Sequence, residues 1–275
     1  MSKPTALSEI NAASESGSSV LNLNGHLLDP FPVEIFRLKS LQQLYLTDNH
    51  IRHIPLGIKA LTELREIYLN DNLLTSLPDD IFKLSKLRLL SLTNNQITKL
   101  PVEISKLKKL EILRIGDNQL NEVPDDISKL DKLRVLDLSR NHINNLPTNI
   151  GEIRNLEVLY LTNNPLQRLP TGISNLKKLQ ELSLIGLGLD EIPAEVWALK
   201  NLRMLFCSGN KLKQLPINEL MALKHLTLLF IANNKLESVP RDILKMKNLH
   251  NIEWNNNPLN KESIAFLTEF YKRTF

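Results

Sequence analysis

A 23-residue period constrains this chain more than any other feature. The stretch Leu133–Pro147, LRVLDLSRNHINNLP, is followed by TNIGEIRN and begins again at Leu156 as LEVLYLTNNPLQRLP. Leu stands at places 1, 4 and 6, Asn at place 9, Ile or Leu at place 11, and Leu-Pro closes the motif. Self-similarity at a fixed period of this size marks a solenoid, in which each unit buries its apolar face only against its neighbours. The place-9 residues run His26, Asn49, Asn72, Asn95, Asn118, Asn141, Asn164, Leu187, Asn210, Asn234 and Asn257, which defines eleven units. Six residues after each of the first ten stands a proline, from Pro32 to Pro240. Beyond the proline the apolar spacing turns helical, as in Pro101 and the VEISKLKKL that follows it. Each unit therefore reads as a short strand, a turn at Asn and a short helical return.

The pattern LxxLxLxxNxLxxLPxxIxxLxxL resembles the leucine-rich repeat family. Its LPxxI form is similar to that of Ras-binding, Scribble-type, Ras-group-related plant and intracellular bacterial repeat proteins. The resemblance implies an α/β leucine-rich-repeat solenoid (a horseshoe) with a parallel concave sheet of about eleven strands and short convex helices or 3-10 turns. Residues 1–19 are expected to form an N-terminal cap helix, with Ala6, Leu7, Ile10 and Ala13 on its apolar face. Residues 20–257 carry the repeats. Residues 258–275 read as a closing helix with Asn260 as N-cap and Ile264, Leu267, Phe270 and Tyr271 as its stripe. With both ends closed, a complete protein or an independently folding module is expected.

The residue types have a physical reason apart from the resemblance. An inward Asn amide both donates to and accepts from backbone groups that would otherwise be buried unpaired, at a cost of roughly 1–3 kcal/mol each. Asn49, Asn72, Asn95, Asn118, Asn141, Asn164, Asn210, Asn234 and Asn257 thus read as a structural ladder. Two departures stand out: Leu187 replaces Asn between Gly186 and Gly188, and one extra residue lies between Pro216 and Leu226. Either both are tolerated drift, or they alter curvature and shape a partner site.

Chemistry finds no foothold. Phosphate loops, nucleophile elbows, HExxH and CxxC are all missing, and no third ligand joins His50 and His53 at metal spacing. No enzyme activity, metal or cofactor is therefore expected. The lone Cys207 sits at a place-6 core position, so it reads as a buried, inert thiol. One cysteine, no apolar leader and no Asn-x-Ser/Thr site favour a reducing, cytoplasmic setting without a membrane span. Thirty-four cations against 30 anions, net +4, make a mixed surface rather than a nucleic-acid stripe.

Places 3, 5 and 7 of a strand project to the concave side. The expected partner-contact residues are Tyr45 and Tyr68, a charged centre of Arg114, Asp137 and Tyr160 with Arg140 added from place 8, and an apolar part made of Ile185, Met204, Phe206, Leu228 and Phe230. Tyr and Arg dominate measured interface energies, and Phe206 and Phe230 are expected to be adjacent and exposed. The place-3 column otherwise reads as strand-favouring. A non-enzymatic, monomeric protein-interaction scaffold for signalling is the first reading, and the resemblance implies a small GTPase or a phosphatase subunit as partner class. The alternative is a sensing module of a larger signalling enzyme of Roco GTPase, kinase or ubiquitin-ligase type. Nucleic-acid binding rests only on the mildly basic balance.

Overall fold

The computed structural model describes residues 5–274, with the side chains of the last helix placed through Phe270. Helix α1 spans Ala6–Ser16, and Lys261–Thr274 form the last helix, α3. Between them lie eleven three-residue strands: β1 Val20–Asn22, β2 Gln43–Tyr45, β3 Glu66–Tyr68, β4 Leu89–Ser91, β5 Ile112–Arg114, β6 Val135–Asp137, β7 Val158–Tyr160, β8 Glu181–Ser183, β9 Met204–Phe206, β10 Leu228–Phe230 and β11 Asn251–Glu253. The chain forms two compact units, through His142 and from Ile143 onward. In the first, β1 to β6 pair in parallel and in chain order, with Leu21, Leu44, Ile67, Leu90, Leu113 and Leu136 in register. In the second, β7 to β11 do the same through Leu159, Leu182, Leu205, Leu229 and Ile252.

Strands this short leave most of each unit's backbone to other partners. After each proline the return is a 3-10 helix, as at Val33–Arg37 and Asp125–Lys129, with the proline as N-cap and its carbonyl accepting from the Ile three residues on. The ninth unit differs. Its extra residue lets the Leu220 N–H reach back four residues to the Pro216 carbonyl at 2.9 Å, which makes α2, Ile217–Met221, α-helical. The inserted residue is thus absorbed on the return side, and β9 and β10 keep their register.

Places 1, 4, 6 and 11 fill the interior: Leu110, Leu113, Ile115 and Leu120 are all 0% exposed. The Asn side chains lie inside the layers they join. Asn72 Oδ1 accepts the Ile51 N–H at 3.0 Å, while its Nδ2 donates to the Leu46, Leu69 and Asn70 carbonyls at 2.8, 3.2 and 3.0 Å. One amide therefore ties a unit to the preceding one and closes its own turn.

The end helices depart from the sequence expectation in which faces they bury. In α1, Ile10 and Ala13 are buried but Leu7 is exposed, and Gly17 closes the helix in the left-handed conformation at φ 63°. In α3, Asn260 accepts the Ser263 N–H at 2.9 Å, and Leu267 and Phe270 are buried beside Phe266. Ile264 instead faces outward, because its neighbour Ser263 turns inward and accepts the Val239 N–H at 3.0 Å. The Tyr271 side chain lies outside the described residues.

Place 8 carries a constraint that sequence reading missed. Its residue has positive φ in all eleven units, from 50° at Asp117 to 69° at Gly209. Asp, Asn and Gly tolerate this left-handed conformation better than other residues. Asp48, Asp71 and Asp117 therefore sit there for backbone reasons before any contact is considered. Arg140, at φ 51°, is the exception in kind.

Candidate functional site

The face carrying places 3 and 5 lies outside the packed interior, and it differs between the two units. In the first, Tyr45 and Tyr68 are register partners whose rings stack at 4.6 Å with 4° between planes. The Tyr68 hydroxyl donates to Glu66 Oε2 at 3.0 Å. Desolvation first, and that hydrogen bond second, push the phenol up to about 12. The tyrosine pair is thus held flat and presents a rigid aromatic plate edged by a carboxylate.

Farther along the same unit, Arg114 and Asp137 are register partners, yet no ion pair joins them among the described residues. Asp137 Oδ1 instead accepts the Ser139 N–H at 3.0 Å, and Arg114 is exposed. Arg140 reaches Asp117 at 3.4 Å, an exposed contact worth little to stability. The Arg140 backbone therefore holds the left-handed conformation with only this weak pair beside it.

In the second unit the Tyr160 hydroxyl donates to Glu181 Oε2 at 2.6 Å. Phe206 and Phe230 meet edge to face, centroids 5.1 Å apart at 88°. Beside them Met204 and Leu228 are register partners, so four apolar side chains share one face of β9 and β10. They are half-buried rather than exposed, since each covers its neighbours. The Ile185 side chain borders Gly209, at the far end of the same face.

Two expectations change. The place-5 column is not uniformly presented: Ser91 and Ser183 are buried, their short hydroxyls bonded to Asn70 and Thr162 at 2.7 Å. The place-3 column also does more than favour strand. Its Glu66 and Glu181 hold the tyrosines, a signal readable as an acid at place 3 beside a Tyr at place 5. Cys207 is fully buried, and desolvation pushes its thiol up to about 12, far from the thiolate a nucleophile needs. Among the described residues no cluster of three or more His, Cys, Asp and Glu could hold a metal, and no helix is long and apolar enough to cross a membrane.

Stacked parallel strands with inward asparagines define a repeat protein of the leucine-rich type, and the comparisons agree. A family model described as leucine-rich repeat region matches residues 113–188, and one described as leucine rich repeat matches residues 62–120. Among solved structures, a leucine-rich repeat protein of Leptospira interrogans is 24% identical with TM-score 0.63, covering 100% of this chain and 99% of its own. A TDR receptor is 27% identical with TM-score 0.76, covering 94% of this chain and 48% of its own. A plant peptide hormone receptor, RGFR1, in complex with RGF2, is 25% identical with TM-score 0.54, covering 88% of this chain and 48% of its own. The comparison with curated proteins gives no match. Residues 62–188 thus carry leucine-rich repeats, and the strands on either side continue the same leucine-rich-repeat fold.

Proposed function

We propose that this protein is a non-enzymatic interaction module that binds another protein through the outward face of its strands. One observation carries the reading. Phe206, Phe230, Met204 and Leu228 form a partly open apolar surface on β9 and β10 that lies outside the packed layers. Apolar and aromatic side chains gathered on one open face are the usual mark of a contact surface. The tyrosine plate on β2 and β3, and Arg114, Asp137 and Arg140 on and after β5 and β6, supply polar selectivity in the first unit. Tyr160, held by Glu181, adds a fixed hydroxyl in the second. The receptor structure bound to RGF2 supports a polypeptide partner.

The partner class we favour is a small GTPase or a phosphatase subunit, on the resemblance of the LPxxI repeats. The protein acts as a monomeric cytoplasmic scaffold in signalling, in keeping with one buried cysteine and no Asn-x-Ser/Thr site. Affinity capture from native lysate with wild type and the F206S/F230S variant in parallel tests the reading. Loss of a specific captured protein by the variant, with its thermal transition retained, supports it. Identical capture by both removes the patch from the mechanism.

A further inference from the structure

The place-11 amide is the donor that the ladder asparagines exist to satisfy. In nine of the ten units followed by another unit, that N–H donates to the next unit's Asn Oδ1, as Ile143 does to Asn164 at 3.1 Å and Leu189 to Asn210 at 3.0 Å. Leu166 is the exception: the next unit offers Leu187, and the buried Leu166 N–H has no acceptor among the described residues. The facing carbonyl of Leu161 still receives Asn164 Nδ2 at 3.0 Å. One donor is thus orphaned, where nearly all buried backbone amides are paired.

The turn around Leu187 is specialised rather than decayed. Gly186 and Gly188 both have positive φ, 66° and 77°, and a Cβ on Gly186 would sit 2.0 Å from Asn163 Oδ1. The Leu187 and Leu189 N–H groups both converge on Asn210 Oδ1, at 3.1 and 3.0 Å. The first unit builds the same turn, with Gly25 and Leu27 at positive φ and the His26 and Leu28 N–H groups converging on Asn49 Oδ1. A chain-starting turn is therefore set inside a stack.

At this point the surface opens into a groove of about 1390 Å³ lined by Leu166 and Leu187 together. It exceeds the roughly 300–1,000 Å³ of small-molecule sites. Its charged lining is Arg168, Lys211 and Lys213 against Asp190, Glu191 and Glu195, with no ion pair joining any of them among the described residues. Three cations and three anions leave the lining with no net charge, so overall charge does not select a free anion. A neutral carbonyl acceptor with charged side chains on either side fits all three features.

We propose that the groove over the Leu187 ladder break is a second docking site, which takes an extended peptide segment of a protein partner. A backbone carbonyl of that segment supplies the acceptor that Asn supplies elsewhere. The site lies apart from the strand face and does not depend on it.

A phage-displayed dodecapeptide library panned on the full chain tests this. Enriched peptides should bind wild type and F206S/F230S alike. They should bind at least tenfold more weakly both to L187N, which offers the Leu166 amide its ladder acceptor and keeps both turn glycines, and to R168E/K211E, which leaves the interior untouched. Several results would overturn the proposal: no enrichment, binding to the ladder-restored or the charge-reversed variant as tight as to wild type, loss only in F206S/F230S, or saturable binding of inorganic phosphate at the groove. Because the Phe variant is read separately, failure here and failure of the strand-face reading remain distinguishable.

Discussion

Replacing one interior ladder asparagine isolates what holds the layers together. Asn118 is 6% exposed. Its Oδ1 accepts the Ile97 N–H at 2.9 Å, and its Nδ2 donates to the Leu92, Ile115 and Gly116 carbonyls at 2.9, 3.2 and 2.9 Å. The carbonyls have second donors: Asn95 Nδ2 at Leu92, Asn141 Nδ2 at Ile115 and the Asn94 N–H at Gly116. Only the Ile97 N–H is orphaned outright. Asn118→Ala should therefore cost about 2 kcal/mol for that buried donor and about 1 kcal/mol for the weakened carbonyls, roughly 3 kcal/mol in all. Asn257 in the last unit has the same chemistry at a half-buried site, with Leu236 N–H accepted at 3.0 Å. Water replaces much of its role, so Asn257→Ala should cost about 1 kcal/mol. Urea unfolding read by circular dichroism gives both values by linear extrapolation. Equal losses at the two sites, or less than about 1 kcal/mol at Asn118, would refute the reasoning.

Other expectations follow from the same geometry. Cys207 titrates from 9.0 in the unfolded chain and about 12 in the fold, so its stabilising contribution is complete below pH 9 and is lost as pH rises above it. Between pH 9 and 10 wild type should lose up to about 1 kcal/mol relative to Cys207→Ala, measured by chemical unfolding at each pH; parallel curves would refute it. Arg140→Asn should raise stability by about 1 kcal/mol, since Asn accepts φ 51° and the Asp117 pair contributes little; a melting curve shifted downward would contradict this. F206S/F230S loses an edge-to-face pair worth about 0.5–1.5 kcal/mol beyond its area, so differential scanning fluorimetry should show a lowered but single transition, and a broad or absent one would mean the pair is core.

The layers were legible because every unit solves the same problem with the same inward residues. Leucines at places 1, 4 and 6 and the ladder asparagines repeat until the period cannot be missed. Place 8 was not legible, since Asp48, Asp71 and Asp117 look like surface acids until φ shows what the backbone requires. The end helices misled for a related reason: Leu7 and Ile264 match the apolar period, but the surfaces they meet are set by Ile10 and by the inward Ser263. The strand-face residues could be named from phase alone. Their pairing was not: the Tyr45–Tyr68 stack, the carboxylates of Glu66 and Glu181 and the mutual cover of Phe206 and Phe230 depend on which rotamers neighbouring layers allow. The groove at Leu187 announced itself as a missing Asn, but the orphaned Leu166 amide is visible only once the other nine are seen paired.

The claim that binding uses the strand face is tested most directly by placing a photo-reactive benzoylphenylalanine at one position at a time and irradiating the protein with its captured partner. The label at Phe230 or Leu228 should give a covalent adduct with that partner, and the label at Val102, exposed on a return helix, should give none. Adducts from Val102 with none from Phe230 or Leu228 would contradict the account.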